Sequence, residues 1–182
     1  MATRAPGDTR LVILMAQDEG RFGLISTLRR CWAPEPIRPL VASQMVHESL
    51  YVFAAVCPQL GQLTALILPY ANSQMMTLFL AEVAAELPDY FIVMLVDQAG
   101  WHLSGQVTIP ENIRLLPQLA GSPELNPAEH LWEDLRENEM VNRHFDGLEP
   151  LEQALCTGIN RLASNPEKLR SMTYFPYLKL SL

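Results

Sequence analysis

Two short, almost purely apolar runs constrain the fold of this chain more than any other feature. They cover residues 11–17 (LVILMAQ) and residues 91–96 (FIVMLV). Runs of this length are typical of β-strands, and a strand with almost no polar residue must be covered on both faces. The two runs therefore predict an α/β protein whose central strands lie in a sheet with helices above and below it.

Further β-rich runs cover residues 49–57 and 63–68, and the proline and glycine between them predict a hairpin. With the first strand they make a three-stranded antiparallel unit. Residues 113–116 form one more short strand after the second apolar run. Residues 20–39 are expected to be irregular, because glycines and prolines interrupt them.

Three helices are predicted from capping residues and apolar spacing. Asn72 or Ser73 caps the first helix, which a proline ends. Asn126 as N-cap and Pro127 as first helical residue start the second. Residues 151–163 form the last clear helix, and a looser tail is expected after it.

Three acidic residues stand where these predicted elements begin or end. Asp18 closes the first apolar run, Asp97 closes the second, and Glu129 opens the helix after Pro127. Carboxylates at the ends of rigid, buried strands can converge without placing charge inside the core. They are the hard oxygen ligands that hold Mg²⁺ or Mn²⁺ for phosphoryl transfer. The pattern therefore indicates a metal site.

Each of these acids also has a purely structural explanation. An aspartate after a strand often starts a turn, and a glutamate in the first turn of a helix is favoured by the helix dipole. Glu133 lies one helical turn beyond Glu129, so either of them could face the sheet. Glu19 follows Asp18 directly and should point to the opposite face if the strand continues.

Four stretches resemble a known family in their sequence and order. They are AQDEGRFG at residues 16–23, WAP at 32–34, VDQAGWH at 96–102 and SPELNPAEHLW at 122–132. They look like the DDE transposases of bacterial insertion sequences, in particular the mariner-superfamily group called the insertion sequence 630 family. The resemblance implies a DDE catalytic domain over residues 11–182. Its fold would be ribonuclease H-like, with the order β-β-β-α-β-α-β-α and a mixed sheet of three antiparallel and further parallel strands flanked by helices.

The resemblance places the catalytic and metal-binding triad on Asp18, Asp97 and Glu129. Two Mg²⁺ or Mn²⁺ ions held there would support in-line cleavage of a DNA phosphodiester, and the freed 3′-hydroxyl would then attack target DNA. His102 and Arg21 are auxiliary candidates for contact with a phosphate or with the metal's water shell. Their structural alternatives are a histidine bonded only to nearby backbone and a solvated surface arginine.

The partners that the resemblance implies are DNA, as transposon ends and as target, and a second copy of the chain in a homodimer. Residues 1–10 are expected to be a flexible segment, too short for the helix-turn-helix module that family members carry. That module is therefore expected to be absent here and to act as a separate chain or domain. The net charge of −7 opposes strong DNA binding by charge alone, although bound cations would offset part of it.

Several features predict a cytoplasmic protein that does not enter a membrane. No apolar run approaches the length that spans a bilayer, and the N-terminal residues have no signal-peptide core. Cys31, Cys57 and Cys156 are widely spaced among apolar neighbours, which is typical of buried thiols in a reducing compartment.

Two further functions are compatible with the sequence. The family usually has Asn and Pro where this chain has Gln98 and Gly100, and Pro-Pro-Tyr where this chain has residues 119–121. With the negative net charge, these departures favour an inactive or domesticated remnant that acts as a non-catalytic interaction domain. A related ribonuclease H-like metal nuclease with another nucleic-acid substrate is the third interpretation.

Overall fold

The computed structural model describes residues 4–26, 28–98 and 105–178, which form a five-stranded mixed sheet with helices on both faces. The strands are β1 (Leu11–Gly23), β2 (Ser49–Cys57), β3 (Gln62–Leu68), β4 (Tyr90–Val96) and β5 (Ile113–Pro117). The helices are α1 (Ser73–Glu86), α2 (Glu129–Leu135), α3 (Leu148–Ala163) and α4 (Pro166–Thr173). The predicted α/β class is confirmed.

The strand order in the sheet is β3-β2-β1-β4-β5, which makes β1 the central strand. β1, β2 and β3 form an antiparallel meander, so the predicted hairpin and three-stranded unit are confirmed. β4 pairs parallel to β1, and β5 pairs parallel to β4. α1 forms the crossover from β3 to β4 that a parallel strand requires.

β1 is longer than the sequence predicted. It continues through Gly23, because its second half keeps pairing with β2, for example Asp18 with Ala54. The expectations that the strand ends before Asp18 and that residues 20–39 are irregular throughout are therefore wrong. β4 ends at Val96, so Asp18 lies in the part of β1 that extends beyond β4.

The two faces of the sheet bury separate apolar clusters. On one face, called the α1 face, α1 packs on a cluster that includes Met15, Phe53 and Ile92. On the other, called the α2 face, α2, α3 and α4 cover a cluster that includes Ala16 and Val52. Neighbouring residues of one strand belong to opposite faces, as side-chain alternation requires.

α1 begins where the sequence predicted. Asn72 is its N-cap, and the side-chain oxygen accepts a hydrogen bond of 2.9 Å from the backbone N–H of Met75. Met76, Phe79 and Val83 are fully buried against the sheet. Phe79 and Val83 belong, with Met75 and Leu87, to the helically spaced apolar residues that predict this helix.

The other two predicted helices are present, but their first residues differ from the prediction. α2 begins at Glu129 rather than Pro127, because Asn126 folds its side chain into a turn in front of the helix. α3 begins at Leu148, earlier than predicted, and the tail that was expected to be loose contains α4. The expected helix between β4 and β5 is not seen in residues 97–98 and 105–112, the described part of that connection.

Three further expectations concern the cysteines, the first ten residues and membrane-spanning helices. Cys57 is buried but Cys31 is exposed, so the expectation that all three thiols are buried is wrong. Asp8 forms an ion pair of 2.8 Å with Arg10. The division into a flexible segment over residues 1–10 and a catalytic domain stays a prediction. Among the described helices, none combines the length and the apolar composition needed to cross a membrane.

Candidate active site

Asp18 and Asp97 lie side by side at the centre of the sheet. Ala16 of β1 and Leu95 of β4 are the last paired positions of these parallel strands, and each aspartate follows two residues later. Side chains two residues apart point to the same face of a strand. Asp18, inside β1, therefore projects toward the α2 face, on which Ala16 packs, and Asp97, the residue after β4, lines the same cleft.

Glu129 approaches the same place from the first residue of α2. The buried Asn126 precedes it, and its side-chain Nδ2 donates a hydrogen bond of 3.0 Å to the backbone oxygen of Gln17. The Oδ1 atom of Asn126 accepts from the backbone N–H of Ala128 at 3.1 Å. These bonds join the start of α2 to β1 directly beside Asp18.

The three predicted acids line one cleft, whose volume is about 310 Å³. Its other lining residues come from the end of β4 and from the loop that leads to α2: Gln98, Gln118, Leu119, Ala120, Gly121, Ser122 and Asn126. None of the described lining residues carries a positive charge. The cleft is thus an acidic pocket whose walls include several positions that depart from the family pattern.

Burial and charge raise the proton affinity of Asp18. Burial is the largest cause that raises its pKa, to about 6, and the negative charges of Glu129 and Glu19 raise it further. A hydrogen bond from Trp132 acts in the opposite direction, because it stabilises the carboxylate. The influence of Glu129 on Asp18 agrees with their position in one cleft.

Trp132 is the main contributor to the site that the sequence did not identify. Its indole Nε1 donates a hydrogen bond of 2.8 Å to Oδ2 of Asp18. The ring also packs edge-on against Phe22, with centroids 5.9 Å apart and an interplanar angle of 72°. Trp132 follows Glu129 by three residues, a spacing that places both on one side of a helix and could have identified it.

The absence of a side chain at Gly20 makes room for this indole. A Cβ atom there would lie 2.7 Å from the Phe22 ring and 2.8 Å from the Trp132 ring, closer than packed carbon atoms approach. Gly20 follows Asp18 by two residues and so faces the same side of β1. Its small size lets Trp132 reach the carboxylate.

The remaining candidates do not join the three acids. Glu133 is largely exposed and contacts His130 at 3.1 Å, so Glu129 is the acid of α2 that faces the cleft. Arg21 is exposed on the other side of β1 from Asp18, where its Nε donates to Ser49 at 3.1 Å. Glu19 shares that opposite side and accepts from Gln17. His102 lies outside the described residues.

The donor chemistry of the cleft suits a hard divalent cation. Its carboxylates offer several oxygen atoms, and Oε1 of Gln118 is buried without a hydrogen-bond donor among the residues that the structure describes. The described side chains nevertheless include no group of three or more His, Cys, Asp or Glu already placed to hold a metal ion. The three acids therefore share a cleft without forming a completed ligand sphere.

Comparison with known proteins identifies the family. A model of the family described as DDE superfamily endonuclease matches residues 14–152, a region that contains all three acids. A relative from Sinorhizobium fredii, called "Uncharacterized protein y4pE/y4sA", is 37% identical over 123 residues. That match covers 67% of this chain and 91% of the relative.

Solved structures of Mos1 transposase have a similar fold. The Mos1 mariner paired-end complex with Mg matches with a TM-score of 0.58 and 16% identity, over 87% of this chain and 55% of that one. The isolated catalytic domain of Mos1 mariner transposase matches with a TM-score of 0.51 and 14% identity, over 89% of this chain and 83% of that one. The chain thus spans little more than half of Mos1 in its complexes, and the expected ribonuclease H-like fold is confirmed.

Proposed function

We propose that this chain, which belongs to the DDE superfamily endonucleases, is the catalytic domain of a bacterial insertion-sequence transposase that cleaves DNA and joins the cut end to a target. One observation carries the proposal. Asp18, Asp97 and Glu129 come from two strands and a helix far apart in sequence, yet they line a single cleft inside the family-matched region. Two neighbouring strands and the N-terminus of a packed helix provide the rigid support that a catalytic site needs.

Asp18, Asp97 and Glu129 would hold the divalent cations, Mg²⁺ or Mn²⁺, with two ions in the site. Ions bound there would polarise the phosphate and stabilise the attacking and leaving oxygens of an in-line displacement. Mos1 paired-end complexes have been solved with Mg and with Mn, which supports this choice of metals. The carboxylates of this chain would position the ions and neutralise part of their charge.

The electrostatics of the cleft support a metal requirement. Its described lining contains three carboxylates and no cationic side chain, so it repels a DNA phosphate and attracts a divalent cation. The net charge of −7 acts in the same direction. DNA should therefore approach the cleft only after cations have neutralised it, and this residue composition couples substrate binding to metal binding.

The proposed partners are transposon ends and target DNA. Their support is that the similar Mos1 structures include a paired-end complex with the left transposon end and a strand transfer complex. End recognition is proposed for a helix-turn-helix module on a separate chain or domain, with a homodimer as the working unit. The cytoplasm is the proposed site of action.

Replacement of Asp97 tests this function. Asp97→Asn keeps the shape of the side chain and removes its charge, so Mg²⁺- or Mn²⁺-dependent nicking of supercoiled DNA should fall about a thousandfold, the effect of losing several kcal/mol of metal stabilisation. The melting temperature in metal-free buffer should stay the same or rise, because one of several mutually repelling carboxylates is gone. Asp89→Asn, in an exposed turn, is the control and should nick like the parent. Equal nicking by Asp97→Asn and the parent would contradict the assignment.

A second candidate is a remnant that kept the fold without catalysis. It is favoured by the described acids, which form no completed ligand sphere. Beside them, Gln98, which departs from the family pattern, donates a hydrogen bond of 2.9 Å to the backbone oxygen of Gln118. A calorimetric titration with Mn²⁺ separates the two candidates, because a remnant should bind no ion at this cleft. Nicking without strand joining would instead support a metal nuclease.

A further inference from the structure

We propose that Asn126 and Trp132 form a two-point latch between α2 and β1, and that this latch positions Glu129 and orients Asp18 for metal binding. The inference rests on the proposed function, since it concerns the ligands of the same cleft. Neither residue is a ligand itself. Both act as positioning residues through hydrogen bonds to β1. One bond comes from before Glu129 in the chain and the other from after it.

Asn126 is the first point of the latch. It is only 3% exposed, and its Nδ2 donates to the backbone oxygen of Gln17, the residue before Asp18. Its Oδ1 accepts from Ala128, and its backbone oxygen accepts from the N–H of Glu129 at 3.2 Å. One buried residue is thus bonded, through its side chain, to the strand that carries Asp18 and, through its backbone oxygen, to the first residue of the helix that carries Glu129.

Trp132 is the second point, one helical turn beyond Glu129. Its Nε1 donates a hydrogen bond to Oδ2 of Asp18 and so fixes which oxygen of that carboxylate faces the indole. The ring cannot easily turn away, because it is 2% exposed and is confined by Phe22 and by the close approach of Gly20. The indole therefore determines the direction in which Asp18 presents its second oxygen.

The spacing of the latch follows from helical geometry. Glu129 and Trp132 are three residues apart on α2 and so lie on one side of it, while Asn126 bonds β1 from the turn in front of the helix. Sliding or rotating α2 against β1 would break at least one buried hydrogen bond and leave its polar group without a partner, which is costly. The apolar residues Leu131 and Leu135 hold α2 on the sheet, but their contacts have no comparable directionality.

Titration calorimetry with Mn²⁺ on the full chain tests the latch without any need for catalytic activity. Trp132→Phe keeps an aromatic ring and removes the donor, and Asn126→Leu keeps a similar volume and removes both side-chain hydrogen bonds. Each should raise the Kd for Mn²⁺ by about tenfold or more, the usual effect of removing a group that orients a metal ligand. Near-ultraviolet circular dichroism checks that the variants keep their packing.

Two control variants separate positioning from general destabilisation. Asn112 is 4% exposed and, like Asn126, its Nδ2 donates to backbone oxygens, those of Leu87 and Tyr90, but it lies away from the cleft. Phe79 is a fully buried ring on the α1 face. Asn112→Leu and Phe79→Leu should lower the melting temperature by amounts similar to the latch variants and leave the Kd for Mn²⁺ unchanged.

The outcomes distinguish the latch from the function it serves. Parental Mn²⁺ affinity in both latch variants, or an equal loss of affinity in the controls, would overturn the latch and leave the proposed function intact. Absence of Mn²⁺ binding by the parent chain would contradict the proposed function itself, and the latch would be overturned with it. Weakened binding confined to Trp132→Phe and Asn126→Leu supports the latch.

Discussion

The two faces of the sheet are held by different kinds of contact. The α1 face buries a cluster of apolar side chains, and the polar bonds beside that cluster include those between Thr64 and Glu86 and between Asn112 and the backbone oxygen of Leu87. The α2 face also buries an apolar cluster, but polar bonds join its helices to one another and to β1, through residues such as Asn126, Trp132 and Asp134. The candidate site lies on the second face.

This difference separates the contacts that stabilise the fold from those that position the carboxylates. Apolar burial is proportional to the area removed from water and tolerates small shifts of a helix, whereas a hydrogen bond weakens steeply when its geometry changes. The α1 face can therefore stabilise the fold without specifying which atoms meet. On the α2 face, carboxylates from separate elements must reach one place, and directional bonds supply that accuracy.

The largest expected effect on stability belongs to the α1 face. Met76 is completely buried there, and Met76→Ala should lower the free energy of unfolding by about 2–5 kcal/mol through lost apolar contact and a residual cavity. Its Kd for Mn²⁺ should not change. Leu78→Ala, on the exposed side of the same helix, is the control and should change stability by less than about 0.5 kcal/mol. Urea unfolding measures stability, and a Kd change in Met76→Ala would show that the faces are coupled.

A smaller change in the free energy of unfolding, in the opposite direction, is expected for Asp18→Asn. The pKa of Asp18 is raised from 3.8 to about 6, mainly by burial, so the folded chain retains a proton that the unfolded chain releases. Stability from this group is present below about pH 4 and is lost as the pH rises through 6. In EDTA, Asp18→Asn should therefore be more stable than the parent at pH 8 by an amount on the order of 2–3 kcal/mol, and nearly equal to it at pH 4. Identical urea curves at pH 8 would show that burial of this carboxylate carries no cost.

Much of the α1 face could be predicted from the sequence. The spacing of Phe79 and Val83 along α1, and the unbroken apolar run of β4, are local patterns that report burial directly. Asp97 and Glu129 were identified because each follows or begins such an element. Local sequence was enough for these predictions. Apolar residues repeat with the period of the helix or strand that contains them, and the ends of these patterns mark where the acids lie.

The polar contacts of the α2 face could not be predicted in this way. Trp132 and Asp18 are separated by 114 residues, and helical spacing shows which side of α2 carries Trp132 but not which strand that side meets. The choice between the two interpretations of Arg21 stayed open in the sequence for a related reason. With β1 expected to end before Asp18, alternation could not be applied, although the strand continues and places Arg21 on the opposite side.

The smallest expected effect concerns an ion-pair network that joins α2 to α3 and α4. Asp134 is 10% exposed and accepts hydrogen bonds from Arg161, at 2.6 Å, and from Lys168. Burial alone would raise its pKa, but these bonds outweigh burial and lower it from 3.8. Because both cations are more than one-third exposed, water can replace part of the interaction, so Asp134→Asn should cost only about 1–2 kcal/mol at pH 7.

The stability change caused by Asp134→Asn should depend on pH in the opposite way to the change caused by Asp18→Asn. A lowered pKa means that Asp134 stabilises the folded chain above its usual pKa of 3.8 and loses this contribution as the pH falls further. The difference between parent and Asp134→Asn should therefore shrink below pH 4, whereas the difference for Asp18→Asn should grow above it. Asp146→Asn, at a carboxylate that is 94% exposed, is the control and should match the parent. Urea unfolding at pH 3, 7 and 8 compares all three variants, and a loss in Asp134→Asn that persists at pH 3 would show that its contribution is packing rather than charge.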